Sequence, residues 1–234
     1  MEDAPAEHAS RIARIQGIYA IVGDEDPVGQ ARAAVDGGAG VVQVRMKKAP
    51  SGAVLAAARE IVAIARGRAL VVVNDRADLA ILSGADGVHV GDEDLPTEEA
   101  RRILGPALLL GRSTRTLAEA RAAIAAGADH VGFGPVFSTR SKELAVPARG
   151  TDALREVVVS LGARVVAIGG ITLDTVGEVA GAGAAAAAMI EDLFSRGDVR
   201  ARAALLAARF EAGRLETGRD AGRDAGRGQR GGAA

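Results

Sequence analysis

Short, almost wholly apolar runs recur along this chain, each followed by a polar or glycine-containing step and then by apolar residues at helical spacing. The block 70–94 shows the pattern most clearly. Leu70 to Val73 is a run of four apolar residues suited to a strand buried on both faces. Asn74 and Asp75 follow where that strand ends. Ala77, Leu79, Ala80 and Leu82 then fall at helical spacing, and Gly84 stops the helix. Gly87-Val88-His89-Val90 reads as a second strand, with Gly91 and the acidic Asp92-Glu93-Asp94 after it. Strand, helix and strand in this order predict two parallel strands joined by a right-handed crossover. Asp75 and Asp94 then lie just past the same ends of neighbouring strands, where α/β sheets hold ligands. Two carboxylates so placed suit a hard cation such as Mg2+. Each motif alone has a plainer reading, since Asn-Asp after a strand is often a helix cap and an acidic triplet is often a solvated loop.

The same pattern predicts strands at 17–22, 41–44, 108–110, 130–133, 165–168 and 185–189. Helices are expected over 27–35, from Ser51 as an N-cap, from Pro96 to before Gly105, and over 116–126, 150–160 and 173–180, with one last helix at 191–216. The connection 134–149 is long for its kind, a length that usually marks function or disorder. An internal rhythm runs through the chain. GGAGVVQV at 37–44, GADGVHV at 84–90, GADHVGF at 127–133 and GAGAAAAAM at 181–189 each end a helix at Gly and start a strand. Eight strands alternating with helices predict a single (β/α)8 TIM barrel over residues 11–216, with an open doubly wound sheet as the runner-up. Residues 1–10 are expected to be a flexible leader, and the Gly- and Arg-rich 217–234 a disordered tail.

Composition narrows the picture. The chain is 48% apolar but only 2% aromatic, so its core must be built from Val, Ile, Leu and much Ala. With 29 basic against 30 acidic residues there is no electrostatic case for nucleic acid. The absence of cysteine removes disulfides and thiolate chemistry and fits a reducing cytoplasm. The N-terminus has no basic segment followed by an apolar one, and no apolar run approaches the ~20 residues of a membrane span. A cytoplasmic protein with small-molecule partners is expected, and a homo-oligomer stays open.

In such a barrel the chemistry follows the strands. Past 41–44, alternation sends Gln43, Arg45 and Lys47 to one side, a seat for a diphosphate; a salt-bridged rim is the plain alternative. Past 108–110 come Ser113, Arg112 and Arg115. The long loop carries Ser138, Thr139, Arg140, Ser141 and Lys142. Gly169-Gly170-Ile171-Thr172 is expected to open a helix whose free amides bind phosphate. Ile190 and Glu191 come to a further helix start beside it. The mouth thus holds two anion sites, one for a Mg2+-bound diphosphate near Asp75 and Asp94, one for a monophosphate near Gly170. His89, inside a strand, reads as a structural hydrogen-bonding residue. Cations and a metal without a base point to departure of a diphosphate.

These motifs resemble the thiamine phosphate synthase family from about Gly17 to Phe194. The matching stretches are Gln43-x-Arg45-x-Lys47, Asn74-Asp75-Arg76, GADGVHVGDEDLP, Gly111-x-Ser113, GFGPVF with Thr139-x-Ser141-Lys142, and AIGGI. The resemblance implies a (β/α)8 barrel and a transferase. It would join 4-amino-5-hydroxymethyl-2-methylpyrimidine diphosphate to a thiazole monophosphate, giving thiamine monophosphate and pyrophosphate. Asp75 and Asp94 would hold Mg2+. Arg45, Lys47, Asn74 and Lys142 would hold the diphosphate, with Ser113 assisting. Gln43 and Gly91 would seat the pyrimidine, and Thr139, Ser141, Gly170, Ile190 and Glu191 the thiazole phosphate. The route would be dissociative and would need no general base.

The chain departs from the family pattern at three positions. Arg115 stands where a histidine is common, Glu191 where a serine is common, and Ser141 replaces a threonine. Three rival readings remain. A thiazole tautomerase lacks the Asp pair and carries a histidine where this chain has Pro135. A non-catalytic paralogue would bind thiamine precursors without turnover. A phosphate-binding isomerase would need an acid–base pair that the sequence does not offer.

Overall fold

The computed structural model describes residues 4–138, 147–161 and 164–228. Eight parallel strands close into a barrel in sequence order. They are β1 (Gly17–Val22), β2 (Val41–Val44), β3 (Leu70–Asn74), β4 (Gly87–Val90), β5 (Leu109–Thr114), β6 (His130–Phe133), β7 (Arg164–Ile168) and β8 (Ala186–Met189). The expected TIM barrel is therefore present and the open sheet is not, because β1 pairs with both β2 and β8. Among the described residues no helix is long and apolar enough to cross a membrane.

Alternation along the strands divides the core into layers. One apolar cluster fills the barrel itself, with Tyr19, Ile21, Val41, Leu70, Val72, Leu109 and Val166 meeting in the interior. Two larger clusters lie between the strands and their helices. The alanine-rich β8 makes sense here. Ala188 pairs with Tyr19 across the β1–β8 seam, so small side chains leave the interior space that the single tyrosine of the chain occupies.

Helices α2 (Pro27–Asp36), α3 (Ser51–Ala65), α4 (Ala77–Ser83), α5 (Thr97–Leu104), α6 (Leu117–Ala125), α7 (Gly150–Leu161) and α8 (Val176–Gly181) follow the first seven strands. Several differ from the sequence expectation. Ser51 lies inside α3, and the cap position is Pro50, without a side-chain hydrogen bond. The first helix, α1 (Ala4–Ala13), occupies much of the expected leader. It is ordered by docking beneath the barrel, where Ile15 just past it is buried and Ile12 packs against the interior cluster. The expected last helix is broken into α9 (Glu191–Phe194) and α10 (Val199–Gly228), with Gly197 at φ 87° between them. Helix α10 continues beyond Glu216 into the segment whose composition suggested a tail.

Candidate active site

The site is built where β2, β3 and β4 end. Residue β3 Asn74 pairs with His89, and the amide of Asp75 donates to His89 O at 2.8 Å. Asp75 thus leaves the sheet at the same level as Val90. Its backbone is left-handed, φ 64°, a conformation that aspartate tolerates better than most residues. Neither Asn74 nor Asp75 caps α4, since the cap position is Arg76, again without a side-chain bond. The plain reading of the Asn-Asp pair as a helix cap is thereby removed, and the Asp75 carboxylate is available to the mouth.

Asp94 stands opposite. Its Oδ2 accepts from the Gly91 amide at 2.7 Å, closing the turn after β4. Desolvation raises Asp75 from its ordinary 3.8 to about 6, and the hydrogen-bonding and charged Asp94 beside it adds to the rise. Lys47 Nζ, 3.6 Å from Asp75 Oδ2, and the nearby Arg45 oppose it without cancelling it. Asp75, half-buried and holding its proton up to about pH 6, stands beside Asp94 with two cations at the rim, and the two carboxylates offer oxygen donors of the kind a hard divalent ion takes. Magnesium fits these residues. It characteristically uses one or two carboxylates and fills its remaining positions with water and substrate phosphate.

Below the mouth lies a polar layer. Gln43 is buried and donates from Nε2 to Tyr19 Oη at 2.9 Å. His89 Nε2 and Ser113 Oγ form a 3.0 Å hydrogen bond. The expectation that His89 is a hydrogen-bonding residue holds, and its partner is the serine singled out from the sequence. Strand β5 is longer than expected, so Gly111, Arg112 and Ser113 lie within it and not after it. The missing side chain at Gly111 has a clear cause. A Cβ there would stand 2.4 Å from both His89 Nδ1 and His130 Nε2. The His130 ring, 5.8 Å from that of His89, is fully buried, and burial pushes its pKa down to about 3. It is a neutral ring at physiological pH.

Across the mouth, Gly169 and Gly170 have φ values of 100° and 64°. Close approach of the β6 loop requires them, because a Cβ at Gly170 would lie 2.3 Å from Ser138 O. They do not open a helix, as the sequence suggested. Thr172 and Thr175 form an intervening turn through a 3.0 Å bond from the Thr172 amide to Thr175 Oγ1, and α8 starts only at Val176. Ile190 holds the cap position of α9 and Glu191 is an exposed residue of its first turn. Thr139, Ser141 and Lys142 lie outside the described residues. Gln43, Arg45, Lys47, Asn74, Asp75, Gly91, Asp94 and Ser113 are gathered on the β2–β5 side, with Gly170, Ile190 and Glu191 on the β7–β8 side. The amide of Gly91, the residue expected to help seat the pyrimidine, donates to Asp94.

Sequence reasoning passed over three residues that shape the site. Tyr19 holds Gln43, and its inward register on β1 was a usable signal. Asp92 forms ion pairs with Arg115 and, at 3.9 Å, with Arg112. Asp192 is buried and accepts from the Leu173 amide and from Arg202, tying the β7 and β8 loops to α10. No local pattern distinguished Asp92 and Asp192 from ordinary surface charges. A cavity of about 440 Å3 is lined by Asp92, Thr97, Arg112, Ser113 and Glu119. It shares Ser113 with the gathered residues, but neither Asp75 nor Asp94 lines it.

An eight-stranded parallel barrel with charged groups collected at the C-terminal ends of its strands defines a β/α-barrel enzyme. Residues 18–193 match the family described as thiamine monophosphate synthase. The thiamine-phosphate synthase of Anaeromyxobacter dehalogenans is 65% identical over 210 residues, 90% of this chain and 95% of the relative. That of Myxococcus xanthus is 49% identical over 189 residues, 80% and 87% of the two chains. The solved thiamine phosphate pyrophosphorylase of Pyrococcus furiosus superposes with a TM-score of 0.78 at 35% identity, covering 86% of this chain and 98% of that one. The chain belongs to the thiamine monophosphate synthase family.

Proposed function

We propose that this protein is a thiamine-phosphate synthase, joining an aminopyrimidine methyl diphosphate to a thiazole monophosphate with release of pyrophosphate. The observation that carries this reading is the Asp75–Asp94 pair with Lys47 and Arg45 beside it, at the mouth of a barrel of this family. In the reaction the bond from the pyrimidine methylene to the diphosphate oxygen breaks, and its electron pair leaves with the diphosphate. The thiazole nitrogen supplies the pair for the new C–N bond, so no proton need be moved. That agrees with the absence of a placed general base among the described residues of the mouth.

Each residue then has a task. Lys47 and Arg45 hold diphosphate oxygens and stabilise the charge that grows there. Asp75 and Asp94 would hold Mg2+, which would supply positive charge to the diphosphate and so make it a better leaving group. Gln43, fixed through Nε2 by Tyr19, has its carbonyl oxygen left to accept from the pyrimidine amino group. Ser113, held by His89, steadies the leaving group. Thr139, Ser141, Lys142, Gly170, Ile190 and Glu191 are assigned to the phosphates through the family resemblance.

The test is pyrophosphate and thiamine monophosphate formation by the purified protein, with and without Mg2+, alongside Asp94→Ala. Mg2+-dependent formation of both products, lost in the variant, is expected. Isomerisation of a thiazole with no pyrophosphate released would instead make the chain a tautomerase, and ligand binding without turnover would make it a sensor.

A further inference from the structure

The β4–α5 loop that carries Asp94 is fastened to the barrel by arginines that the proposed chemistry leaves unused. Asp92 and Glu93 at its tip are exposed, and three acidic residues follow one another there, close to Asp75. Mutual repulsion drives such a turn outward unless a cation holds it. Arg112 Nη1 donates to Leu95 O at 3.3 Å, and its Nη2 lies 3.9 Å from Asp92 Oδ1. Arg115 reaches the other oxygen of Asp92 through Nη1 in a short ion pair. Both ends of the turn are therefore tied to β5.

Arg115 is itself rigidly seated. Its amide donates to Glu119 Oε2 at 2.7 Å, while Thr116 Oγ1 accepts from the Glu119 amide at 3.1 Å as the cap of α6. These two bonds form a variant of the capping box and fix the backbone from which the guanidinium extends. An arginine on a fixed stem loses less freedom on pairing than one on a loose surface. The turn it grips is two residues from Asp94.

We propose that Arg115 is a positioning residue: its pair with Asp92 holds the β4–α5 loop so that Asp94 stays opposite Asp75, and thereby sets the affinity for the divalent cation. Arg115 acts through Asp92 and touches neither substrate nor metal. The proposal rests on the reading of Asp75 and Asp94 as the cation pair. In a chain with a neutral ring at this position, the loop would need a different fastening.

Two readouts separate the clamp from that reading. Amide hydrogen exchange of residues 91–95, measured on the metal-free protein, reports the loop directly. Mn2+ binding, followed by loss of the free-ion paramagnetic resonance signal, reports the site. Arg115→Ala is expected to speed exchange in the loop and to weaken Mn2+ binding about three- to fivefold, the scale of a partly exposed pair. Arg115→Lys is expected to recover part of both. In turnover the loss should fall on the Mg2+ concentration for half-maximal rate more than on kcat. Unchanged exchange, or unchanged Mn2+ affinity in Arg115→Ala, overturns the proposal. So does a raised KM for the pyrimidine diphosphate at unchanged cation affinity, which would make Arg115 a substrate ligand. Failure of the wild-type protein to take up Mn2+ sinks the metal reading, and the exchange rates then decide the clamp alone.

Discussion

Asp129 and Asp75 lie at opposite ends of the same barrel and are treated in opposite ways. Asp129, just before β6 at the closed end, accepts from Arg101 Nη2 at 2.6 Å and from the Leu110 amide at 2.8 Å, and pairs with His8 Nε2 at 2.8 Å. Both of its oxygens have partners. Asp75 faces another carboxylate, its nearest cation stands at 3.6 Å, and its backbone is left-handed. The first arrangement is complete in the protein by itself; the second leaves two carboxylates facing each other, a contact that added positive charge would relieve. The lower end of the barrel is built for stability, and the mouth carries a like-charge contact of the kind that functional sites tolerate.

Removing a mouth carboxylate should break this contrast most sharply. Asp94→Asn is expected to cut kcat/KM by about a thousandfold, the several kcal/mol that a metal contributes. The same change should leave the melting temperature unlowered, because it also removes a like charge from beside Asp75. A clear fall in melting temperature would mean that the pair is structural. Asp129→Ala should do the reverse. It removes the carboxylate of Arg101, which keeps its bonds to three backbone carbonyls, and leaves the Leu110 amide without its acceptor, costing about 2 kcal/mol in chemical denaturation, while the rate per folded molecule below the transition is retained. Loss of rate without loss of stability would overturn the division between the two ends.

The next test is pH. Asp75 keeps its proton up to about pH 6 in the folded protein against an ordinary 3.8. A raised carboxylate contributes stability below its ordinary value and loses that contribution as pH rises through about 6. The metal-free protein should therefore become less stable between pH 4 and 7, and Mg2+ should restore stability chiefly above pH 6. Cation affinity should fall about tenfold per unit below that point. A flat affinity profile between pH 5 and 7 would contradict the pairing of Asp75 with Asp94. The smallest effect is expected at α1. His8→Ala removes one of several bonds to Asp129 and should cost at most about 1 kcal/mol, measurable as a slight shift in the denaturation midpoint.

Much of the molecule was legible before any coordinates. Buried parallel strands are nearly continuous apolar runs, so Leu70 to Val73 and Val41 to Val44 announce themselves, and the residues just past them are located by counting. Asp75, Asp94, Lys47 and Gln43 were found this way. Boundaries set by long-range contacts were not. Ser113 was expected after β5 and lies within it because β6 continues to pair alongside. The helix expected at Gly170 starts at Val176 because threonine hydroxyls organise a turn first. Helix α1 was expected to be a leader because the barrel floor that orders it is assembled from residues far along the chain.

By itself, the sequence determined the alternation of strand and helix, hence the barrel, and which charged residues reach its mouth. Those follow from periodicity and from the parallel pairing of consecutive strands, both local properties. Only the tertiary structure decided how these charges meet: that Asp75 is pressed against Asp94, that Asp92 is gripped by Arg115, and that Gly111 makes room for two histidine rings. Electrostatic and steric contact depend on distances between segments remote in sequence, and those distances exist only once the barrel has closed.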